Sequence, residues 1–369
     1  MDRKNISGSG KIIRNNTLSF INITSTVLVL FITACSKDTV PEGDYLDTPA
    51  CSENFIPRSY NRQVVGFYPS WKQDVMAQGQ IPWDKLTRIV YAFAQPNTDG
   101  TLYTSELNGM RSLRDSAHAH GVEAYFSIGG ADGSANFHVM AENEKTRKKF
   151  INEVKQYVFE NCLDGVDIDW EYWSGDATGS VVPAESNALV TVLRELSEEL
   201  SPYGIEISVD LGASDWWGKH YYDGVAQYAD HLMVMAYDFT GTWTDPGQHS
   251  SYGDAIGSGN TSASTGLAYY VNYRGWPKQK ILLGVPFYGK DFDIGGGMYI
   301  SYSDILRSHP DAYLYDQAEN IYYNGISTIE RKAEYVLENG YSGIMIWEIT
   351  QDSPVDSVSL LNAINLEIH

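Results

Sequence analysis

Short runs of β-branched and aromatic residues alternate with longer amphipathic segments from about residue 64 onward, and this alternation restricts the fold more than any other feature. A run of roughly 4–8 such residues is typical of a buried strand, and the spacing of the longer segments is helical. The runs fall at Val64–Tyr68, Arg88–Ala94, Val122–Ile128, Gly165–Trp170, Ile205–Leu211, His231–Tyr237, Ile281–Pro286 and Gly343–Trp347. The pattern predicts repeated strand–helix units around a parallel sheet.

The longer segments with the clearest helical spacing are Glu144–Glu160, Glu185–Leu200 and Thr328–Glu338. Eight strand–helix units predict an α/β fold of one domain, a closed (β/α)8 barrel; a doubly wound open sheet is the alternative. No glycine-rich phosphate-binding motif follows the first run, which weakens the nucleotide-binding form of that alternative. In a barrel, chemistry is expected at the C-terminal ends of the strands.

The N-terminus has the features of a targeting segment. Residues 1–17 carry four basic side chains and one acid, and an apolar run then reaches Cys35. The small residues before Cys35 resemble a bacterial lipobox, so we interpret residues 1–34 as a signal peptide and Cys35 as the lipidated residue. A membrane-spanning helix is the alternative, but polar residues interrupt the run below the ~20 apolar residues that a span needs.

Residues 35–60 lack periodicity and are interpreted as a tether between the lipid and a catalytic domain at 61–369. The protein is therefore expected to be exported and held at the bacterial envelope, in the periplasm or at the cell surface, with no other membrane contact. Beyond Cys35, only Cys51 and Cys162 remain, too few for a disulfide framework. The core must stabilise the fold.

The chain is strongly acidic, with a net charge of −21. A surface of this sign repels nucleic acid and anionic lipid headgroups, so a nucleic-acid partner is not expected. The charge is compatible with a neutral polymer as substrate. The sequence neither implies nor excludes an oligomer.

The fourth predicted strand carries the run Asp164-Gly-Val-Asp167-Ile-Asp169-Trp-Glu171. Side chains alternate along a strand, so Asp167, Asp169 and Glu171 share one face. Carboxylates this close share protons, and Glu171 at the end of the run is the natural acid. The pattern favours hydrolysis; an acidic stripe in solvent and a divalent-cation site remain alternatives, although the histidines show no metal-ligand spacing and no cofactor is expected.

This run resembles the signature of glycoside hydrolase family 18, the chitinases and endo-β-N-acetylglucosaminidases, whose fold is a (β/α)8 barrel with the motif on strand four. The resemblance extends to other strands, at Ser127-Ile-Gly129-Gly130, Met235-Ala-Tyr237-Asp238, Gly284-Val-Pro286-Phe-Tyr288-Gly289 and Trp347. It implies a substrate-assisted, retaining mechanism in which the N-acetyl group of the substrate is the nucleophile. Glu171 would be acid and base, Asp169 the acetamide partner, Asp167 its proton partner, and Tyr237 a donor to the acetamide carbonyl.

The resemblance also implies a set of substrate-binding residues, with Trp347 as the floor under the scissile sugar. They are Phe93, Gly130, Met235, Asp238, Tyr288 and Trp347. Further tryptophans follow predicted strands and are candidates for additional subsites, whereas Trp83 and Trp276 are expected to be packing residues. The candidates are Trp71, Trp173, Trp216, Trp217 and Trp243.

The chain departs from the family pattern around the predicted site. Tyr172-Trp173 stands where Tyr-Pro is usual, Ala131 where tryptophan is common, and Lys290 where arginine is common, which removes a bidentate donor. The segment between Tyr288 and Thr328 is judged too short for the α+β insertion that walls one side of the groove in many processive members. A shallower, more open cleft is therefore expected.

Three functions are compatible with these residues. The leading one is chitinase-type cleavage of chitin or another N-acetylglucosamine-containing glycan. An endo-β-N-acetylglucosaminidase acting on the chitobiose core of N-glycans is the nearest alternative, and Trp170 before Glu171 favours the chitinase. A non-catalytic chitin-binding protein is the third, opposed by the presence of Glu171, Asp169 and Tyr237.

Overall fold

Eight parallel strands close into a barrel in the computed structural model, which describes residues 55–175, 178–253 and 261–369. In chain order the barrel strands are β1 (Gln63–Pro69), β2 (Arg88–Pro96), β3 (Glu123–Gly129), β4 (Gly165–Asp169), β5 (Glu206–Gly212), β6 (His231–Met235), β7 (Ile281–Pro286) and β8 (Gly343–Trp347). Each strand pairs in parallel with the next, and β1 also pairs with β8, so the sheet has no free edge. The predicted (β/α)8 barrel is confirmed, and the open sheet is excluded.

Helices follow the strands and cover the outside of the barrel. In the described ranges they are α1 (Met110–Ala119), α2 (Phe137–Glu142), α3 (Glu144–Asn161), α4 (Pro183–Leu200), α5 (Asp215–Gly218), α6 (Gly224–Tyr228), α7 (Ala263–Ala268), α8 (Tyr302–Ser308), α9 (Ile326–Asn339) and α10 (Leu360–Ile368). The three helices predicted from periodicity correspond to α3, α4 and α9. The start of α3 is fixed by Asn143, whose side chain accepts a hydrogen bond from the backbone N–H of Lys145.

Two apolar layers arise from the alternation of side chains along the strands. Residues that point outward pack against the helices and form the larger core, while a smaller group fills the barrel. The inner group consists of Val65, Phe67, Val90, Ala92, Tyr125, Met233, Leu282 and Met345. Each fully buried large side chain contributes roughly 1.5–3 kcal/mol to folding.

A buried polar network closes the N-terminal end of the barrel. The Arg88 guanidinium lies 2.8 Å from Glu123 and 3.0 Å from Glu206, and it sits over the ring of Tyr125 at 4.0 Å. His231 lies 2.8 Å from Glu206. Because this end is filled and its charges are paired, a ligand enters the barrel only from the opposite, C-terminal end.

The insertion between β7 and α9 is short, but the expectation that it is too short for an α+β unit is wrong, because short paired strands and one helix suffice to build such a unit. Its four short strands form an antiparallel sheet, with α8 beside it. They are Tyr288–Asp291, Met298–Ser301, Gln317–Ala318 and Ile321–Tyr322. Glycines at 295–297 with positive φ allow the tight connection between the first two strands, and the buried Tyr302 and Ile305 attach α8 to the main core.

The predicted signal peptide and Cys35 lie outside the described residues. The last part of the predicted tether, residues 55–60, contacts the barrel: the ring of Phe55 stacks on His118 at 3.7 Å, and Arg58 donates to the carbonyl of Leu86 at 2.6 Å. Cys162 is disulfide-bonded. Among the helices of the described ranges, none has the length and apolar character needed to cross a membrane.

Candidate active site

The three carboxyl groups of the fourth strand point into the C-terminal mouth of the barrel. Asp167 and Asp169 lie on β4 and Glu171 follows its end, while Val166, Ile168 and Trp170 are buried against the helices. Trp170 stacks on Phe137 with ring centroids 4.8 Å apart. Packing on the outer face therefore fixes the direction of the acidic face.

Asp167 is fully buried, and both of its oxygens are hydrogen-bonded. The hydroxyls of Ser127 on β3 and Ser208 on β5 donate to it at 2.6 and 2.7 Å. Asp169, also buried, has an Oδ1 atom without a hydrogen-bond partner among the described residues. Burial and the neighbouring Glu171 and Asp167 raise the pKa of Asp169 well above its usual value.

Glu171 is half-buried at the end of β4. The hydroxyl oxygen of Ser134 accepts the backbone N–H groups of Glu171 and Tyr172 at 3.2 and 3.0 Å, which holds the chain in place. Burial, reinforced by the charges of Asp238 and Asp132, raises the pKa of Glu171 to about 7. Glu171 therefore retains its proton near neutral pH, as a general acid must.

Asp210 on β5 is a fourth carboxyl group in the barrel, and sequence reasoning missed it. The pairing of Asp167 with Ser208 places Asp210 beside Asp169 on the neighbouring strand. Asp210 is 1 % exposed and lines the same cavity. Its signal was present in the sequence, because Ser208 and Asp210 alternate with Ile207, Val209 and Leu211 just as the acids of β4 alternate with apolar residues.

Asp238 is held by groups from the insertion that follows β7. Tyr288 and Tyr299 donate to its two oxygens at 2.7 Å each, and the Lys290 ammonium lies 3.1 Å away. Burial alone would raise the pKa of Asp238, but His249, Lys290 and Tyr299 together hold it well below the usual range. Lys290 thus supplies the positive charge beside Asp238, although it lacks the fork of an arginine.

Aromatic rings form the floor of the mouth. Trp347 stacks on Phe93 with centroids 5.6 Å apart and meets Phe67 edge-on, also at 5.6 Å. Gly130 adopts a φ of +79°, and a Cβ at this position would lie 2.7 Å from the Phe93 ring. Only glycine lets the end of β3 approach this closely, so the motif residue Gly130 acts by making room for the platform.

These groups enclose a cavity of about 710 Å³ at the C-terminal end of the barrel, within the size range of small-molecule sites. Every predicted site residue lines it except Asp167, which lies deeper than Asp169. The predicted residues that line the cavity are Phe93, Gly130, Asp169, Glu171, Met235, Tyr237, Asp238, Tyr288 and Trp347. Asp132, Asp210 and Tyr299 also line it and were not assigned to the site from the sequence.

The five tryptophans considered for further subsites are in different places. Trp71 lines the cavity and is 55 % exposed, so its ring is available to a ligand. Trp173 is buried and stacks on Trp170 and His220, which makes it a packing residue. Trp216 and Trp243 are exposed outside the cavity and Trp217 is half-buried. Trp83 and Trp276 are buried, as predicted.

Within residues 55–175, 178–253 and 261–369, no group of three or more histidine, cysteine, aspartate or glutamate side chains is arranged to hold a metal ion.

Comparison with known proteins gives consistent matches. The sequence model of Glycosyl hydrolases family 18 matches residues 63–352. Among solved structures, a chitinase from Bacteroides thetaiotaomicron superposes with a TM-score of 0.72 at 29 % identity, over 83 % of this chain and 96 % of that chain. The family 18 chitinase ChiB of Flavobacterium johnsoniae gives 0.71 at 27 % identity, over 84 % and 94 %.

Among curated sequences, a chitinase-like effector of Moniliophthora roreri is 29 % identical over 262 residues. The match covers 68 % of this chain and 62 % of the effector, so the chain spans about three fifths of that relative's length.

Proposed function

The chain belongs to family 18 of the glycosyl hydrolases, and from this premise we propose that it hydrolyses β-1,4 linkages between N-acetylglucosamine units of chitin or its oligomers. The observation that carries the proposal is the position of Glu171. Its carboxyl group reaches the cavity above an aromatic floor and keeps its proton to about pH 7. A proton donor beside a platform for the apolar face of a sugar is what cleavage of a glycosidic bond requires.

In the first step, the acetamido carbonyl oxygen of the sugar attacks the anomeric carbon while the glycosidic bond breaks. The leaving oxygen takes the proton of Glu171. The carboxylate of Asp169 accepts the acetamido N–H and stabilises the positive charge on the resulting oxazolinium. In the second step, water attacks the anomeric carbon from the vacated side and gives a proton to Glu171, while the bond between that carbon and the acetamido oxygen breaks and restores the acetamide; the configuration is therefore retained.

The other residues orient the substrate. Trp347 and Phe93 carry the scissile sugar, and Tyr237, whose hydroxyl lies 3.9 Å from the sulfur of Met345, donates to the acetamide carbonyl. Asp167 influences the charge of Asp169: burial raises the pKa of Asp167, and the hydrogen bonds from Ser127 and Ser208 oppose that rise. Asp238, ionised by its neighbours, accepts sugar hydroxyl groups.

The pH dependence of kcat/KM should follow Glu171. An ordinary glutamic acid loses its proton near pH 4.3, whereas burial raises the pKa of Glu171 to about 7. The acid form is required, so activity should fall as the pH rises through about 7. Asp132→Asn removes one of the charges that raise this pKa, so this alkaline limb of the pH profile should move to lower pH. The shift should be only roughly 0.3 units, because the exposed charge of Asp132 is screened by salt.

A pH–rate series on the wild type, Asp132→Asn and Glu144→Gln measures this limb. Glu144 lies on the exposed side of α3 and serves as the matched control, which should leave the limb in place. A limb near pH 4–5, or one that moves equally in both variants, contradicts the assignment of Glu171.

Binding without cleavage is the second candidate, because two of the similar proteins are named chitinase-like effectors. Incubation with labelled N-acetylglucosamine oligomers and, separately, with a high-mannose glycoprotein distinguishes the candidates. Chitinase action shortens the oligomers and first yields the β-anomer. Glycan release from the glycoprotein instead identifies an endo-β-N-acetylglucosaminidase, and binding of intact oligomers without products identifies a binding protein.

We also propose that the protein is exported and anchored to the bacterial envelope through an acylated Cys35. The disulfide bond of Cys162 supports an oxidising compartment outside the cytosol. Metabolic labelling with a fatty acid in the native host should mark the wild type and not Cys35→Ser. Label retained by the variant contradicts the anchor.

A further inference from the structure

Asp210 is an unexplained carboxyl group at the centre of the site. It projects from β5 into the barrel, is 1 % exposed and lines the same cavity as Asp169 and Glu171. Neither of its oxygens accepts a hydrogen bond from a donor group in the described part of the chain. A buried carboxylate with no donor is unfavourable by several kcal/mol as a rule, so the group needs another state or another purpose.

The groups around Asp210 are acidic or already committed. Asp167 and Asp169 face it from β4, Glu171 lies above β4, and Tyr237 approaches from the end of β6. The hydroxyl of Ser208, on the same strand, donates to Asp167. Lys72 is the single cation among the described residues that line the cavity, and Arg88 is engaged at the opposite end of the barrel.

The contact between Asp210 and Asp167 shows where a proton must lie. Asp210 follows Ser208 on the same face of β5, so its buried carboxyl group lies beside those of Asp167 and Asp169, and two neighbouring carboxyl groups form a hydrogen bond only when one of them is protonated. Asp167 already accepts two serine hydroxyls, which stabilise its charged form. The proton therefore belongs to Asp210, and burial together with Asp167 and Asp169 raises the pKa of Asp210 well above its usual value.

We propose that Asp210 is a positioning residue, a neutral carboxylic acid that donates a hydrogen bond to Asp167 and thereby leaves Asp169 free to carry the negative charge opposite the acetamide. The inference rests on the proposed function and adds a residue to it. Without this donor, Asp167 has to share the proton of Asp169. Asp169 would then meet the oxazolinium in its neutral form and stabilise it less.

Two substitutions of similar shape separate hydrogen-bond donation from packing. Asp210→Asn keeps a neutral donor toward Asp167 and should change kcat by no more than about threefold. Asp210→Leu fills the same space without a donor and should lower kcat by about 10–100-fold, the effect of losing one hydrogen bond to a charged group. The acidic limb of kcat should move to higher pH in Asp210→Leu alone, because Asp167 and Asp169 then hold their shared proton longer.

Thermal unfolding provides the readout that a merely structural role would not give. Leucine fills the space of Asp210 and keeps the packing of the barrel, so the melting temperature of Asp210→Leu should stay close to that of the wild type while kcat falls. A kcat of Asp210→Leu within twofold of the wild type overturns the proposal. An equal loss in Asp210→Asn also overturns it, because the charge of Asp210 would then be what matters.

A measurement without substrate keeps this inference separate from the proposed function. Carbon-13 NMR of protein labelled at aspartate carboxyl groups should show a neutral carboxyl at pH 7 that is lost in Asp210→Asn. If the wild type cleaves no glycan but shows this signal, the proposed function fails and the protonation of Asp210 stands. Absence of the signal from the wild type removes the donor and overturns the inference, whatever the activity.

Discussion

Glu171→Gln is expected to lower kcat on N-acetylglucosamine oligomers by about 10³-fold, within the range that a general acid contributes. The amide occupies the same space but cannot give a proton to the leaving oxygen. Its backbone anchor, the hydroxyl of Ser134, is unchanged, so the chain should keep its position. Initial rates of product formation by chromatography measure the loss.

Binding should survive this substitution, because Trp347 and Phe93 still carry the sugar. Oligomer affinity measured by tryptophan fluorescence should stay within about threefold of the wild type. Glu106→Gln is the matched control, since Glu106 is an exposed glutamate that lines the same cavity away from β4, and it should retain nearly full activity. A Glu171→Gln variant that keeps a tenth of the wild-type kcat would falsify the acid role.

Asp169→Asn should have the second largest effect, a fall in kcat of about 10²-fold. A carboxylate that faces developing positive charge in a dry site typically contributes this much to the rate. Asp169 is 4 % exposed, and its Oδ1 has no partner among the described residues, so the atom is available to the substrate. The asparagine cannot stabilise the oxazolinium by charge, although its size is the same.

If Asp169 stabilises positive charge, its substitution should weaken binding of a mimic of the charged intermediate more than binding of the uncharged substrate. Asp169→Asn should weaken a thiazoline mimic of the oxazolinium far more than it weakens an intact oligomer, as determined from inhibition constants and binding affinities. Asp132→Asn, an exposed acid of the same cavity, should alter neither. If both ligands weaken equally in Asp169→Asn, Asp169 contributes binding and not transition-state stabilisation.

Much of the barrel was accessible from the sequence because a buried parallel strand has a local signature. All eight predicted strands exist, with ends within two residues of the observed ones. The direction of the acids on β4 was equally accessible. Once Val166, Ile168 and Trp170 are assigned to the core, alternation leaves Asp167, Asp169 and Glu171 no other face.

Features that join distant strands were not accessible in this way. Asp238 is held by Tyr299, which is 61 positions away on the insertion, and nothing local predicts that contact. Trp173 was a candidate for the cleft because it follows a predicted strand, yet its ring is buried and stacks on Trp170. Asp210 belongs with Asp169 only because β5 lies beside β4 in register.

The sequence by itself determined the fold class, the family and the face of β4 that carries the acids, because the two-residue period of a strand and the 3.6-residue period of a helix are local properties. Only the tertiary structure decided which acids share protons. The pKa of Glu171, the serine partners of Asp167 and the position of Asp210 all depend on burial and on distances between neighbouring strands. Those distances are set when the barrel closes, and no local pattern encodes them.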